Sequence, residues 1–211
     1  MRNRGNELPQ QVILLGWVSF FADISSEMIY PIIPLFLVGV LGSSSSALGF
    51  IEGMAQAIVS VIALLSGIFS DRIQRRVPFV RWGYGLPILG KFIISISTSW
   101  HFLLVGRLAD RFGKGLRGSP RDALLAESIQ YSRRGEAFGF HRMMDTAGAL
   151  VGVLIAAGCL WQWQNKGAEF VYRLIFIIAA ILALCLLIVS FFVSETSAAT
   201  KRNATQPRIQ I

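Results

Sequence analysis

Charged side chains recur at helical spacing inside segments that are otherwise apolar. Asp23 and Glu27 stand four residues apart in the first such segment, so a helix would place both carboxylates on one face. A later segment carries four charges at positions i, i+3, i+4 and i+7, which also share a face: Arg107, Asp110, Arg111 and Lys114. A charge at the lipid-facing centre of a membrane helix costs about 2.5–3.5 kcal/mol. These side chains must therefore face protein or water, where they can contact a solute or exchange protons.

The composition indicates that the solvent of this chain is lipid. Of its 211 residues, 54% are hydrophobic and only 15% are charged, and the mean hydropathy is +0.57. A bilayer core about 30 Å thick requires about 20 apolar residues per helical span. Six runs come near that length: 11–40, 47–69, 82–99, 101–125, 136–160 and 170–193. The sequence therefore predicts an all-α membrane helix bundle with six transmembrane helices, which together form one domain over residues 11–193.

The positions of the basic residues predict how the bundle is oriented. The formal charge is +8, and the basic side chains cluster in every second connection between the predicted spans: Arg2, Arg4, Arg72, Arg75, Arg76, Arg81, Arg133, Arg134, Lys201, Arg202 and Arg208. This is the positive-inside pattern, and it accounts for the charge without a nucleic-acid partner. It predicts a multi-pass protein of the plasma membrane, the inner membrane in a Gram-negative bacterium. Residues 1–10 would form a cytoplasmic N-terminus, and residues 194–211 would form a disordered cytoplasmic tail.

Residue patterns typical of enzymes do not occur in the sequence. Cys159 and Cys185 are the only cysteines, both lie in predicted spans, and neither has a second ligand at metal-like spacing. We also find no nucleophile motif and no phosphate-binding loop. We therefore expect a protein without enzymatic activity, metal or cofactor.

The connection between the second and third predicted spans carries the strongest motif. It contains a glycine, an aspartate and a basic cluster at fixed spacing: Gly67, Asp71, Arg72, Arg75 and Arg76. This pattern resembles the signature of the major facilitator superfamily between helices 2 and 3, where it takes part in the conformational switch. Taken alone, it is also compatible with an ordinary basic loop.

The fourth predicted span supports the same resemblance. It is similar to the family's helix-4 pattern, in which an arginine is followed four residues later by a glycine, here Arg111 and Gly115. The alternative is that this stretch is an amphipathic helix on the cytoplasmic surface. That alternative would make the number of spans odd and would break the alternation of charge.

The fifth predicted span resembles the family's helix-5 antiporter motif. Gly139, Gly148 and Gly152 stand at the expected intervals, but Val153 replaces a proline and Ala156–Ala157 replace paired glycines. The resemblance thus favours export as the direction of transport. Three polar residues near the start of this span are expected to contribute to helix packing and gating: His141, Arg142 and Asp145.

The resemblance covers residues 11–193 and implies the N-terminal six-helix half of such a transporter. In that fold, helices 1 and 4 border the central cavity. Asp23 and Glu27 are therefore expected to form a buried ion network with cations of the fourth span: Arg107, Arg111 and Lys114. The network could couple protons or contact the solute, or it could only lock the helices together. The charged residues Glu52 and Lys91 have no assigned partner.

Two functions from different classes follow. The first is secondary transport of a small solute, proton-coupled and with export favoured, for which a second six-helix half or a second copy of the chain would complete the cavity. The second is a truncated or non-transporting membrane half that only associates with another membrane subunit. Membrane lipid is an expected partner in both cases.

Overall fold

The computed structural model describes residues 7–195, which are predominantly helical and contain no strand. They form seven α-helices and one short 3₁₀-helix: α1 (Gln10–Glu27), α2 (Ile32–Gly39), α3 (Ser45–Ile73), α4 (Val77–Ser95), α5 (Trp100–Glu127), the 3₁₀-helix (Tyr131–Arg133), α6 (Arg134–Gln162) and α7 (Ala168–Ser190). Most of the predicted N-terminus and tail lies outside the described residues, and so do five of the basic residues used to predict the orientation: Arg2, Arg4, Lys201, Arg202 and Arg208.

The first predicted span is divided into two helices. α1 ends at Glu27 and α2 begins at Ile32, because Pro31 has no N–H with which to continue the helical hydrogen bonds. The backbone turns through residues 28–31, and Tyr30 stands in this turn. Together, α1 and α2 make one apolar pass, so the described residues form six helical passes and the predicted bundle is confirmed.

Four of these passes are long and apolar enough to cross a membrane by length and composition: Gln10–Gly39, Ser45–Ile73, Tyr131–Gln162 and Ala168–Ser190. α4 and α5 are not among them. Both carry charged side chains that are buried in the bundle rather than directed to lipid, such as Lys91 on α4 and Arg107 on α5. The lower apolarity of these two helices therefore reflects their internal polar contacts.

The helices pack as a curved series rather than around a single centre. α3 packs on α5, α5 on α4, α4 on α7, α7 on α1, and α1 on α6. α1 and α5 make little direct contact, although they lie on opposite sides of the same concave space. α3 and α6 stand at the two ends of the series, and α3 buries few side chains: Ile51, Ala55, Ser66 and Ser70.

Glycines bring α4 and α5 into backbone contact. A Cβ atom added at Gly90 would lie 2.6 Å from both Asp110 N and Gly106 O, and one added at Gly83 would lie 2.5 Å from the Arg117 side chain. Small residues at such an interface allow two membrane helices to approach closely. This approach places the charged side chains of α5 directly against α4.

Glycines also bring α1 and α6 into close contact. A Cβ atom at Gly152 would lie 2.6 Å from Ile24 O, and Gly148 lies against the backbone of Phe20. Gly139 differs, because no atom would meet a Cβ atom there within 4 Å. Of the three glycines in the helix-5 motif, only Gly148 and Gly152 are needed for close packing.

We expect Gly90→Ala to destabilise the bundle, because the added methyl group meets the α5 backbone. Overpacking of this kind costs about 1–3 kcal/mol. The matched control is Gly53→Ala on α3, where nothing lies within 4 Å and the substitution should be neutral or stabilising by up to about 1 kcal/mol. Thermal unfolding in detergent measures both changes, and equal effects of the two substitutions would contradict the close α4–α5 contact.

Candidate solute cavity

A cavity of about 390 Å³ opens inside the curve of the helices. Its walls come from α1 and the turn that follows it, from α3 and from α5: Glu27, Tyr30, Glu52, Gln56 and Arg111. The interruption of the first pass at Pro31 places Tyr30 at this space, next to the last residue of α1. Three of the five lining side chains carry charge, so the cavity is polar although the bundle around it is apolar.

Arg107 forms a bidentate ion pair with Glu52 beside this cavity. Its Nη2 atom donates to both carboxylate oxygens at 2.7 and 2.8 Å, and its Nε atom donates at 3.0 Å. Arg107 is 1% exposed, whereas the side chain of Glu52 is 31% exposed. The expected pairing of Arg107 with the carboxylates of α1 is therefore wrong. Glu52 lies on the adjacent helix α3, within direct reach of the guanidinium.

Lys91 also has a partner that its sequence position did not reveal. Its Nζ atom lies 3.3 Å from Asp110 Oδ1 and 3.4 Å from Ser26 Oγ. Asp110 is surrounded by cations, because Arg107 and Arg111 lie 3.7 and 3.9 Å from its other carboxylate oxygen. This cluster joins α4 to α5 in the interior, where an unpaired charge would be most costly.

The two carboxylates of α1 do not take part in the ion pairs of the described residues. Among residues 7–195, neither Asp23 nor Glu27 has a cation within 4 Å, so the predicted ion network does not close. Glu27 on α1 and Arg111 on α5 nevertheless line the same cavity. The acidic face of α1 and the basic face of α5 therefore oppose each other across the cavity without contact.

A second polar cluster joins α1, α5 and α6. His141 Nε2 lies 2.9 Å from Ser19 Oγ, and Arg121 donates to the same hydroxyl at 3.1 Å. His141 Nδ1 lies 3.4 Å from Asp145, whereas Arg142 is 4.0 Å from that carboxylate and its side chain is 84% exposed. Ser19 and Arg121 were not expected here, because only the tertiary packing brings them to His141.

The signature connection lies at one end of the bundle, which we call the basic end and define by Arg72, Arg75, Arg76 and Arg81. Arg76 bonds to Asp71 at 3.1 Å and to Glu127 at 2.9 Å, so it joins α3 to the last residue of α5. Arg72 and Arg75 are exposed. Gly67 faces α5, where an added Cβ atom would lie 3.2 Å from Ser119 Cβ.

Two features of this end were not expected from the sequence. Gln74 ends α3 in the left-handed conformation, with a φ angle of 57°, and donates to Asp71 O at 2.6 Å. A glycine is the usual residue in that conformation. Glu195 accepts from the N–H groups of Arg76 and Val77 at 2.8 and 2.9 Å, so it caps α4, which therefore begins five residues before the predicted boundary.

Comparison with known proteins identifies the family. The family model described as Major Facilitator Superfamily matches residues 15–210. The chain belongs to the major facilitator superfamily. An uncharacterized MFS-type transporter of Methanocaldococcus jannaschii is 34% identical over 199 residues, which are 94% of this chain and 48% of that protein. Multidrug resistance protein MdtG of Proteus mirabilis is 26% identical over 92% of the chain and 48% of its own length.

Multidrug resistance protein MdtH of Photorhabdus laumondii is also similar, 28% identical over 73% of this chain and 38% of its own length. Solved structures share the fold. The peptide transporter POT in complex with sulfate has a TM-score of 0.75 at 20% identity, over 93% of this chain and 43% of that protein. The D-xylose-proton symporter has a TM-score of 0.68 at 19% identity, over 92% of this chain and 50% of that protein. The chain thus spans about half the length of the superfamily members to which it is similar.

We expect Glu52→Gln to destabilise the bundle, because it removes the closest counter-charge of the buried Arg107 guanidinium, which then keeps only its 3.7 Å approach to Asp110. Breaking a fully buried pair costs about 3–5 kcal/mol, and the partial exposure of Glu52 reduces our expectation to about 2 kcal/mol. Glu169→Gln is the control, since its pair with Arg173 is more exposed and should cost less than about 1 kcal/mol. Similar losses in thermal unfolding for both variants would contradict a structural role of the Glu52 pair.

Proposed function

We propose that this chain is one half of a secondary transporter that carries a small solute through the cavity described above. The observation that carries the proposal is that opposite charges line the same cavity without forming an ion pair. Glu27 on α1 and Arg111 on α5 line the same cavity, yet they lie more than 4 Å apart. Opposite charges that line a concave polar site without contacting each other are available to a solute.

The paired charges explain why these two groups remain available. Glu52 engages Arg107, and Asp110 engages Lys91, so both pairs hold the helices without taking up Glu27 or Arg111. Arg111 keeps only a 3.9 Å approach to Asp110 and a position 5.8 Å from the ring centroid of Tyr30. We assign solute contact to Glu27 and Arg111, and helix locking to the two ion pairs.

Proton coupling is the second element of the proposal. Asp23 and Glu27 lie one helical turn apart on α1, partly buried and without an ion pair to any other described residue, and a carboxylate of this kind can bind and release a proton. Export is the direction that we favour, because relatives of similar sequence are named multidrug resistance proteins and because Gly148 and Gly152 of the helix-5 motif pack tightly on α1.

A second six-helix unit completes the cavity in this proposal, either on another polypeptide segment or in a second copy of this chain. Members of the superfamily transport by rocking two such halves about a central site. We also propose that the basic end faces the cytoplasm, since its arginines follow the positive-inside pattern.

The proposal is tested by transport in sealed vesicles that contain the purified chain alone or together with a candidate second half. Uptake of labelled drugs, sugars and metabolites is followed with and without a pH gradient. Activity of the chain alone would support a homodimeric transporter, and activity only with the partner would support a divided one. Absence of activity in both preparations, from folded protein, would favour the alternative of a non-transporting half.

We expect Arg111→Ala to abolish solute transport and to leave membrane insertion intact, because it removes the open cation of the cavity and not a member of the two close ion pairs. Arg111→Lys restores the charge without the planar fork and should recover part of the activity. Lys166→Ala, an exposed residue in the connection between α6 and α7, is the control. Unchanged transport by Arg111→Ala would contradict the role of this residue.

We expect Glu27→Gln to make solute transport independent of the proton gradient. A neutral amide cannot exchange a proton, so exchange of solute across the membrane should persist while its acceleration by a pH gradient is lost. Glu169→Gln, which changes an exposed carboxylate of α7, should keep the response. If Glu27→Gln still responds fully to the gradient and Asp23→Asn does not, the coupling group is Asp23. A full response in both variants would refute proton coupling through α1.

A further inference from the structure

A groove of about 420 Å³ lies between α4 and α7 at the basic end, away from the solute cavity. We call it the lipid groove and define it by its lining residues: Pro78, Arg81, Trp82, Gly85, Leu187 and Phe191. We propose that the lipid groove binds one anionic phospholipid, with the headgroup phosphate at Arg81 and an acyl chain along the apolar wall. The proposal does not depend on the transport activity proposed above.

Arg81 is fixed in position by the backbone that follows α7. Its Nη2 atom donates to the carbonyl oxygens of Phe191 and Val193, both at 3.1 Å. Its guanidinium carbon also lies 5.1 Å from the ring centroid of Phe191. These contacts orient the charged plane before any ligand arrives, which lowers the entropy cost of binding.

The positive charge of Arg81 has no close counter-charge in the part of the chain that the structure describes. Among residues 7–195, no carboxylate lies within 4 Å of this guanidinium, and its Nη1 atom has no hydrogen-bond acceptor there. The other arginine that lies close to the capped start of α4 is different, because Arg76 is paired with both Asp71 and Glu127. Arg81 thus presents a partly exposed cation and a free donor to whatever fills the groove.

The surroundings of Arg81 select a lipid as the occupant. Trp82 is 69% exposed and Phe191 is 58% exposed, and in a membrane-spanning bundle such apolar side chains face lipid. Gly85 leaves space in the groove. A Cβ atom there would already be in van der Waals contact with the Leu187 side chain, at 3.8 Å, so a larger side chain would fill the space between α4 and α7. Basic pockets between membrane helices bind anionic headgroups. A zwitterionic headgroup carries its own cation, so it would match the uncompensated charge of Arg81 less well.

The test uses the whole purified chain in detergent and measures its thermal unfolding as phosphatidylglycerol is added. Phosphatidylcholine with the same acyl chains is the reference lipid, and glycerol 3-phosphate tests whether the headgroup chemistry alone is sufficient. We expect phosphatidylglycerol to raise the unfolding temperature more than phosphatidylcholine does at equal concentration. We expect glycerol 3-phosphate to have no comparable effect, because it lacks the acyl chains that fill the apolar wall.

Three variants locate the effect. Arg81→Gln should weaken the apparent affinity for phosphatidylglycerol about fivefold, the change expected for one basic residue at an anionic lipid surface. Gly85→Leu fills the groove without changing charge and should lose the lipid effect as well, which keeps the test valid if Arg81→Gln fails to fold. Arg75→Gln removes the same charge from an exposed position at the same end of the bundle, outside the groove, and should retain the affinity.

Four results would overturn the proposal. Equal stabilisation by the two phospholipids would show that the headgroup charge is not recognised. Equal weakening by Arg75→Gln and Arg81→Gln would show diffuse attraction to a basic surface instead of a site. Full retention of the effect in Gly85→Leu would place the lipid outside the groove, and a full effect of glycerol 3-phosphate would assign the site to a free phosphate compound.

Discussion

The cost of a charge inside the membrane is the constraint on which this structure depends. Four charged side chains on one face of α5 could not be directed to lipid, so the helix turns them toward protein, and glycines bring α4 close enough to supply Lys91 as a partner for Asp110. α3 supplies Glu52 for Arg107 in the same way. These two pairs fix α3, α4 and α5 relative to one another. The space left between this group and α1 is the cavity, which Glu27 and Arg111 line without forming an ion pair with each other.

The sequence was sufficient to predict the helical bundle, the order of its six passes and the family. Those features depend on apolar length, charge alternation and motifs, all of which can be read along a single chain. The partners of individual charges could not be predicted in the same way. Helical spacing shows that Arg107 and Arg111 share a face with Asp110, but the adjacent helix that meets that face is decided by glycine contacts such as Gly90 against Gly106. Lys91 had no assigned partner for the same reason.

The basic end illustrates a related limit. Its motif contains an aspartate and several arginines, and in the structure Asp71 contacts Arg76 at 3.1 Å. The contribution of Glu195, which caps the start of α4 from beyond the end of α7, depends on two segments more than 100 residues apart in sequence. Such contacts join the last pass of the bundle to the third. They also position the carbonyl groups that orient Arg81, so one local arrangement both closes the bundle and shapes the lipid groove.

The most direct test of the charged cavity is its access to water. In a chain whose Cys159 and Cys185 are replaced by alanine, Gln56→Cys places a thiol on the cavity wall of α3. Leu65→Cys, two and a half turns along the same helix, places one on the opposite side. A membrane-impermeant maleimide should label the thiol at position 56 much faster than the thiol at position 65. Equal rates, or faster labelling at position 65, would contradict a water-filled cavity between α1, α3 and α5.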